Sequence, residues 1–171
     1  MKQYCVFLRG INVGGNNLIK MSDLKKSFES IGLKNVIPIL ASGNIIFEAD
    51  SLLDIKEKIE EKLKNEFGSN ISVIIRTKQE IEEIVKSNPF EKITITPQIR
   101  FYVTLLPKEI EIPPDLTLGF KIVKSTKLEI FSVLDLDQKS TDMMTILDKK
   151  FGKNITTRSW NTIQKILEKM N

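Results

Sequence analysis

"NVIPILASGNIIFEA", residues 35–49, decides the fold. Two apolar runs of strand length flank A-S-G-N, and Ser, Gly and Asn are the residues that tight turns use, so the stretch reads as a β-hairpin. Pro38 inside the first run implies an edge position or a bulge, because proline cannot donate to a ladder. Upstream, "MSDLKKSFESIG" (residues 21–32) sets Met21, Leu24, Phe28 and Ile31 at helical spacing, with Ser22 or Asp23 in the first turn and Gly32 as a stop. Before it, "QYCVFLR" (3–9) reads as a strand. Downstream, "SLLDIKEKIEEKLKNEFG" (51–68) marks one helix face with Leu52, Ile55, Ile59, Leu63 and Phe67, and "ISVIIRT" (71–77) is a strand. The order is β-α-β-β-α-β, a ferredoxin-like arrangement over residues 1–77.

The rest of the chain, residues 78–171, reads as a second, smaller α+β subdomain. A helix at 79–86 ends before Asn88-Pro89, and "IRFYVTLL" (99–106) is strand-like. "PKEIEIPPD" (107–115) is a solvated connection, and "FKIVKSTKLEIFSVL" (120–134) is a hairpin turning near Ser125-Thr126. Helices follow at 141–150 and 159–170. No repeat period is visible, yet the second half is a candidate for a degenerate echo of the first.

Composition narrows the function. The chain has 171 residues, 41% apolar and 28% charged, which is ordinary for a globular protein. The net charge of +4 comes from 26 basic and 22 acidic residues, many interleaved as in "IKEKIEEKLKNEF", so a solvated helix face explains most of it. Histidine is absent, which removes Ser-His-Asp and Cys-His catalysis, histidine-ligated zinc and a histidine general base. The single cysteine, Cys5, forms no internal disulfide and reads as a small buried hydrophobe. Apolar stretches fall short of the roughly 20 residues of a membrane span, and Arg9 interrupts the first of them, so a cytoplasmic protein without membrane contact is expected.

Topology proposes a site. In this arrangement the end of the first strand and the turn of the hairpin share an edge, which brings the Arg9–Lys20 loop beside Ser42-Gly43-Asn44. Gly10, Gly14, Gly15 and Gly43 permit left-handed backbone and expose N–H groups able to cradle an anion. Arg9 supplies a planar fork for phosphate, Asn12, Asn17 and Asn44 orient the ligand, and the start of the helix near Met21 adds partial positive charge. The same residues also suit a loop that merely turns sharply and caps itself. A P-loop is excluded: Gly10 and Gly15 have the spacing, but Asn16 and Asn17 stand where Lys and Ser/Thr belong. The dinucleotide fingerprint G-x-G-x-x-G is absent as well.

"TTRSWNTIQKIL" (156–167) is the other distinctive stretch. Thr156 or Thr157 is expected to cap the last helix, Trp160 to anchor it, and Arg158, Asn161 and Thr162 to form a polar cluster. That cluster either braces the Gly/Asn loop or, through Arg158 and Asn161, completes its ligand site. Asp135, Asp137 and Asp142 offer a possible metal site, but Lys139 and Ile146 break the EF-hand pattern, and an acid at a helix start explains them better. No metal and no cofactor is expected.

"YCVFLRGINVGGNNLIKMSDLKKSFESIGLKNV", "SGNIIF" and "TTRSWNTIQKIL" together resemble the bacterial family labelled domain of unknown function 1697, over essentially the whole chain. The resemblance implies a cytoplasmic α+β protein with ferredoxin-like subdomains. It marks Arg9, Gly10, Asn12, Gly14, Gly15, Asn17, Met21, Ser42, Gly43 and Asn44, and later Thr157, Arg158, Trp160, Asn161 and Thr162. It also implies Tyr and Gln before the S-G-N turn, where this chain has Ile39 and Ala41, and Asn where Ser159 stands.

The expected function is binding of a phosphate-bearing partner, a nucleotide or a nucleic-acid backbone, at the Arg9–Lys20 and Ser42–Asn44 edge. One alternative is a histidine-free phosphohydrolase similar to acylphosphatases, with Arg9 on phosphate and Asn44 positioning water. The other is a purely structural or interaction protein. Whether the protein is an enzyme, and its oligomeric state, are left open by the sequence.

Overall fold

The computed structural model describes residues 1–15, 18–113, 116, 118, 120–137 and 142–171. Two compact units make up the chain: Met1–Glu83 together with Ile166–Asn171, and Ile84–Lys165.

The first unit runs β1 (Lys2–Leu8), α1 (Met21–Ser30), β2 (Lys34–Ile39), β3 (Asn44–Ala49), α2 (Ile55–Phe67) and β4 (Val73–Thr77). This is the β-α-β-β-α-β succession expected. The strands lie in the order β2-β3-β1-β4, each antiparallel to its neighbour. β2 is an edge strand whose register shifts between Lys34 and Ile37, where Pro38 required an edge or a bulge. One face of the sheet packs Tyr4, Val6, Leu8, Ile45, Phe47 and Val73 against Leu24 and Phe28 of α1 and Ile59 and Leu63 of α2. Phe47 lies 5.6 Å from Tyr4 and 6.4 Å from Phe28, ring centre to ring centre. The opposite face, with Cys5, Phe7, Ile46 and Ile74, is buried too. That is why Tyr4–Leu8 is continuously apolar rather than alternating. Ser27 of α1 donates to Glu66 of α2, and Lys62 followed by Ser27 holds the Glu66 carboxyl below the usual carboxylate range.

From β4 the chain enters α3 (Lys78–Ser87), then β5 (Ile99–Leu105), β6 (Lys121–Ser125), β7 (Glu129–Asp135), α4 (Met143–Phe151), β8 (Thr156–Ser159) and α5 (Trp160–Met170). α3 begins in the first unit and ends in the second, and α5 does the reverse. The helix expected at 141–150 starts at Met143, and Thr141 lies outside the described residues. Asp142 caps it by accepting from the Thr145 N–H (3.1 Å), and the Thr145 hydroxyl, followed by that N–H, lowers the Asp142 pKa.

The second sheet, β6-β7-β5-β8, repeats the first in pairing and in register. Leu8 N–H donates to Gly43 O (2.8 Å) where β1 leaves its sheet, and Leu106 N–H donates to Leu128 O (2.9 Å) just after β5. Tyr4 pairs with Thr77, and Tyr102 pairs with Ser159. Cys5 pairs with buried Arg76, and Val103 with buried Arg158. The outer strand pair carries a register shift in both sheets. The echo suspected from the sequence is therefore real at the level of topology. It was hidden because no described residue between β5 and β6 is helical, where the first unit has α1.

One expectation changes here. Residues 156–159 form β8 rather than the lead into a helix, and the cap of α5 is Ser159, whose Oγ accepts from the Thr162 N–H (3.2 Å). Thr77 stands in the same relation to α3, accepting from the Glu80 N–H (3.1 Å) while Glu80 accepts from the Thr77 N–H (2.7 Å), a capping box. Ser159→Ala is expected to cost about 1 kcal/mol, and Ser159→Asn close to nothing, since both Ser and Asn accept as caps. Urea midpoints of the two variants test this; equal midpoints would remove the cap.

Candidate functional site

Three connections meet at one end of the first sheet. β1 leaves it at Arg9, whose N–H donates to Ser72 O (3.0 Å) ahead of β4, and Leu8 N–H has already tied β1 to the β2–β3 turn at Gly43. The loop that follows is pinned by one amide. Asn12 Nδ2 donates to Ile19 O (3.0 Å) and to Ala41 O (2.8 Å), and Asn12 Oδ1 accepts from the Ile19 N–H (2.8 Å). This clamps the loop to itself and to the hairpin turn, so the convergence proposed from topology is present.

Backbone conformation explains the composition. Gly10, Asn12, Gly14 and Gly15 have φ of 68°, 55°, 59° and 79°, the left-handed region that glycine and asparagine tolerate best. Ile11 and Ile19 are buried and act as the loop's feet, whereas Val13 and Leu18 stand 65% and 74% exposed. In the turn, Ser42 is exposed, Gly43 is buried at φ 77° and Asn44 is fully buried. Asn44 Nδ2 donates to Ile39 O (3.0 Å) and to Ser42 Oγ (2.9 Å).

The expected site residues thus fall into distinct roles. Asn12 and Asn44 hold the backbone. Gly43 makes room for the chain's own Ile11 and Leu8, since a Cβ there would lie 2.8 Å from Ile11 and 3.0 Å from Leu8. Gly14 and Gly15 are open to solvent, with nothing within 4 Å of an added Cβ. Arg9 is half-buried where β1 ends. Asn17 lies outside the described residues. Lys20, exposed, occupies the N-cap position of α1, and its side chain makes no capping hydrogen bond. No carboxylate occurs between Met1 and Ser22 or between Asn35 and Phe47.

Sequence reasoning missed Leu40. It sits before the turn at φ 57° and 48% exposed, and nothing in the sequence marks a leucine for the left-handed region.

Arg158 and Asn161 belong to the second unit. Arg158 is buried in β8, where Nη1 donates to Thr156 Oγ1 (2.7 Å) and Thr157 O (2.9 Å). Asn161 is exposed, and Thr162 is engaged with Ser159. The polar cluster expected on one helix face is not formed, because Arg158 is in a strand. Arg76 repeats the arrangement in the first unit, with Nη1 donating to Ile75 O (3.2 Å). Among the described residues no group of three or more Cys, Asp or Glu is placed to hold a metal ion, and no helix is long and apolar enough to cross a membrane.

Comparison with solved structures finds a conserved bacterial protein from Streptococcus pneumoniae, 22% identical, covering 99% of both chains with a TM-score of 0.70, which supports the α+β architecture over the full length. No curated protein matches. The family described as protein of unknown function DUF1697 matches residues 1–130, so "TTRSWNTIQKIL" lies beyond the matched residues. With the Arg9 loop, α1, the S-G-N turn and both strands of its hairpin inside that match, the chain belongs to the family of domain of unknown function 1697.

Proposed function

We propose that the protein binds a phosphate-bearing ligand at the edge formed by the Arg9–Lys20 loop and the Ser42–Asn44 turn. The observation that carries this reading is the start of α1. Its N-cap residue, Lys20, makes no side-chain capping bond, and the helix follows on a loop rich in left-handed backbone. Uncapped helix N–H groups and left-handed turns both present donors to an anion. Arg9 and Lys20 add positive charge, set against one carboxylate in the first turn of α1, that of Asp23. The clamp at Asn12 keeps those donors in place before the ligand arrives, which reduces the ordering cost of binding.

Asn44 weighs against the hydrolase alternative. Its amide is buried and donates to Ile39 O and Ser42 Oγ, so it does not present that group to a water on a bound phosphate. Binding without turnover fits better. A cytoplasmic setting goes with this reading, and there the buried Cys5 stays a thiol.

A thermal-shift screen of wild type and Arg9→Ala against inorganic phosphate, nucleotides, sugar phosphates and short oligonucleotides tests the assignment. A ligand at 100 times its Kd adds about 2.7 kcal/mol of stability. For a chain of this size that raises Tm by roughly 5–10 °C. Arg9→Ala is expected to melt near wild type and to lose the shift, with affinity down at least about tenfold for the lost charged hydrogen bond. A shift retained in full by Arg9→Ala would refute the site.

A further inference from the structure

We propose that the first unit holds a second site, for a small aliphatic carboxylate, in a cavity at the opposite end of its sheet. It stands independently of the phosphate reading above. β1, β2 and α2 begin at this end, and α1 and β3 finish at it. Residues from these ends and the segments joining them enclose a cavity of about 270 Å³. Its apolar lining includes Leu33, Ala49, Leu53 and Ile55. Leu33 and Ile55 are buried core residues, whereas Leu53 stands 76% exposed. A leucine that lines a cavity yet remains in solvent is apolar surface available to an occupant.

Charge decides the polar end of the ligand. Glu48 and Asp50 line the cavity, and both carboxylates are already engaged. Glu48 accepts from Asn35 Nδ2 (2.8 Å) at one oxygen and from Gln3 Nε2 (3.4 Å) at the other, and Asp50 pairs with the Met1 ammonium (3.4 Å). Lys34 and Lys58 line the cavity too, and neither makes an ion pair among the described residues. Lys34 lies opposite Glu48 in the β2–β3 register, but the two amides hold that carboxylate. On α2, Lys56 and Lys62 pair with Glu60 and Glu66, whereas Lys58 has no such partner. Asp54 and Glu57, its acidic neighbours in sequence, do not line the cavity. The charges left to meet a ligand are therefore two ammonium groups on flexible stems, beside aliphatic carbon. A carboxylate with an aliphatic body answers both. The volume of 270 Å³ falls below the roughly 300–1,000 Å³ of sites for drug-sized ligands, so the body is short. None of the lining residues is aromatic, so a ring would find nothing to stack on.

Titration of the isotope-labelled full chain with hexanoate, acetate, hexanol and hexylammonium, read as amide chemical shifts, tests this. Hexanoate is expected to shift the amides of Gly32, Lys34, Ala49 and Leu53 saturably. It should bind about tenfold or more tightly than acetate, the ratio that burial of two methylenes supports. Hexanol and hexylammonium should each bind about tenfold or more weakly than hexanoate, for want of a charged hydrogen bond to the lysines. The double variant Lys34→Gln, Lys58→Gln should bring hexanoate down to the level of hexanol. Leu53→Ser should weaken hexanoate while melting as wild type, since its side chain is exposed. Arg9→Ala should bind hexanoate as wild type does, so this site and the phosphate site fail separately. Shifts that do not saturate, that fall on other amides, or that persist unchanged in the double lysine variant overturn the proposal, as does acetate binding as tightly as hexanoate. N-acetylleucine, which copies a peptide end, separates the sources of the carboxylate. Binding at least as tight as that of hexanoate identifies a peptide C-terminus and weaker binding a free acid, and either source carries the proposal.

Discussion

Gly43→Ala is expected to lower the melting temperature by about 10 °C, the largest effect of any single methyl group at this edge. Two costs add. Gly43 has φ 77°, where an L-residue loses roughly 1–2 kcal/mol against its preferred backbone. Its added Cβ would also sit 2.8 Å from two atoms of Ile11 and 3.0 Å from the Leu8 Cβ, and both residues are buried and unable to withdraw freely. Overpacking of this kind costs about 1–3 kcal/mol. The sum is about 3 kcal/mol, and it is applied where Leu8 N–H meets Gly43 O, so β1 and the turn separate together. Gly14→Ala is the control: its φ is 59° but its Cβ would meet nothing within 4 Å, so only the backbone cost applies. Circular dichroism melts of the two variants decide the matter. If Gly43→Ala is no worse than Gly14→Ala, the close approach of Ile11 is not what requires glycine.

The second large effect is at Asn12. Asn12→Ala removes both amide donations and the acceptor for Ile19 N–H, and leaves alanine at φ 55°. A loss of about 2 kcal/mol is expected, because water replaces part of what the amide did at the exposed Ala41 carbonyl. Asn12→Asp is expected to be no better. It keeps the acceptor for Ile19 N–H but turns a carboxylate oxygen toward two carbonyls. The readout is amide hydrogen exchange at Ile19, which should accelerate sharply in Asn12→Ala, together with the urea midpoint. Wild-type exchange at Ile19 in that variant would mean the loop is held by something other than the clamp. Ligand response should fall with it, since a loosened loop no longer presents its donors in advance.

Much of the fold was legible because the signals were local and periodic. Leu24 and Phe28, or Ile55, Ile59 and Leu63, follow a helical period that tertiary context did not override. Pro38 marked the edge strand for a reason belonging to its own ring. β8 was missed because Thr156–Ser159 is polar and short, and its strand character comes from pairing with β5 rather than from its own residues. The echo of the first half in the second was blurred for the same reason: register equivalence survives in hydrogen bonds while residues change, as from Asn44 to Glu129 at the first position of β3 and β7. At the site, topology foretold the meeting of loop and turn. Which asparagines serve the backbone was not foretold, because an amide that clamps and an amide that binds look alike in sequence. Leu40 was invisible since its left-handed backbone follows from the closure of the turn.

The division of the chain bears on how the protein is made. The first unit contains Met1–Glu83 but also Ile166–Asn171, and Lys78 Nζ donates to the Met170 carbonyl at 2.7 Å. Ribosomes deliver the chain in order, so the first sheet emerges and waits while all of Ile84–Lys165 is added. Until Ile166 and Met170, both buried in the finished protein, leave the exit tunnel, the nascent first unit lacks part of its packing. Folding of the early half is thereby tethered to synthesis of the late half. A stalled or prematurely terminated chain displays an unfinished surface, one that cellular quality control can recognise.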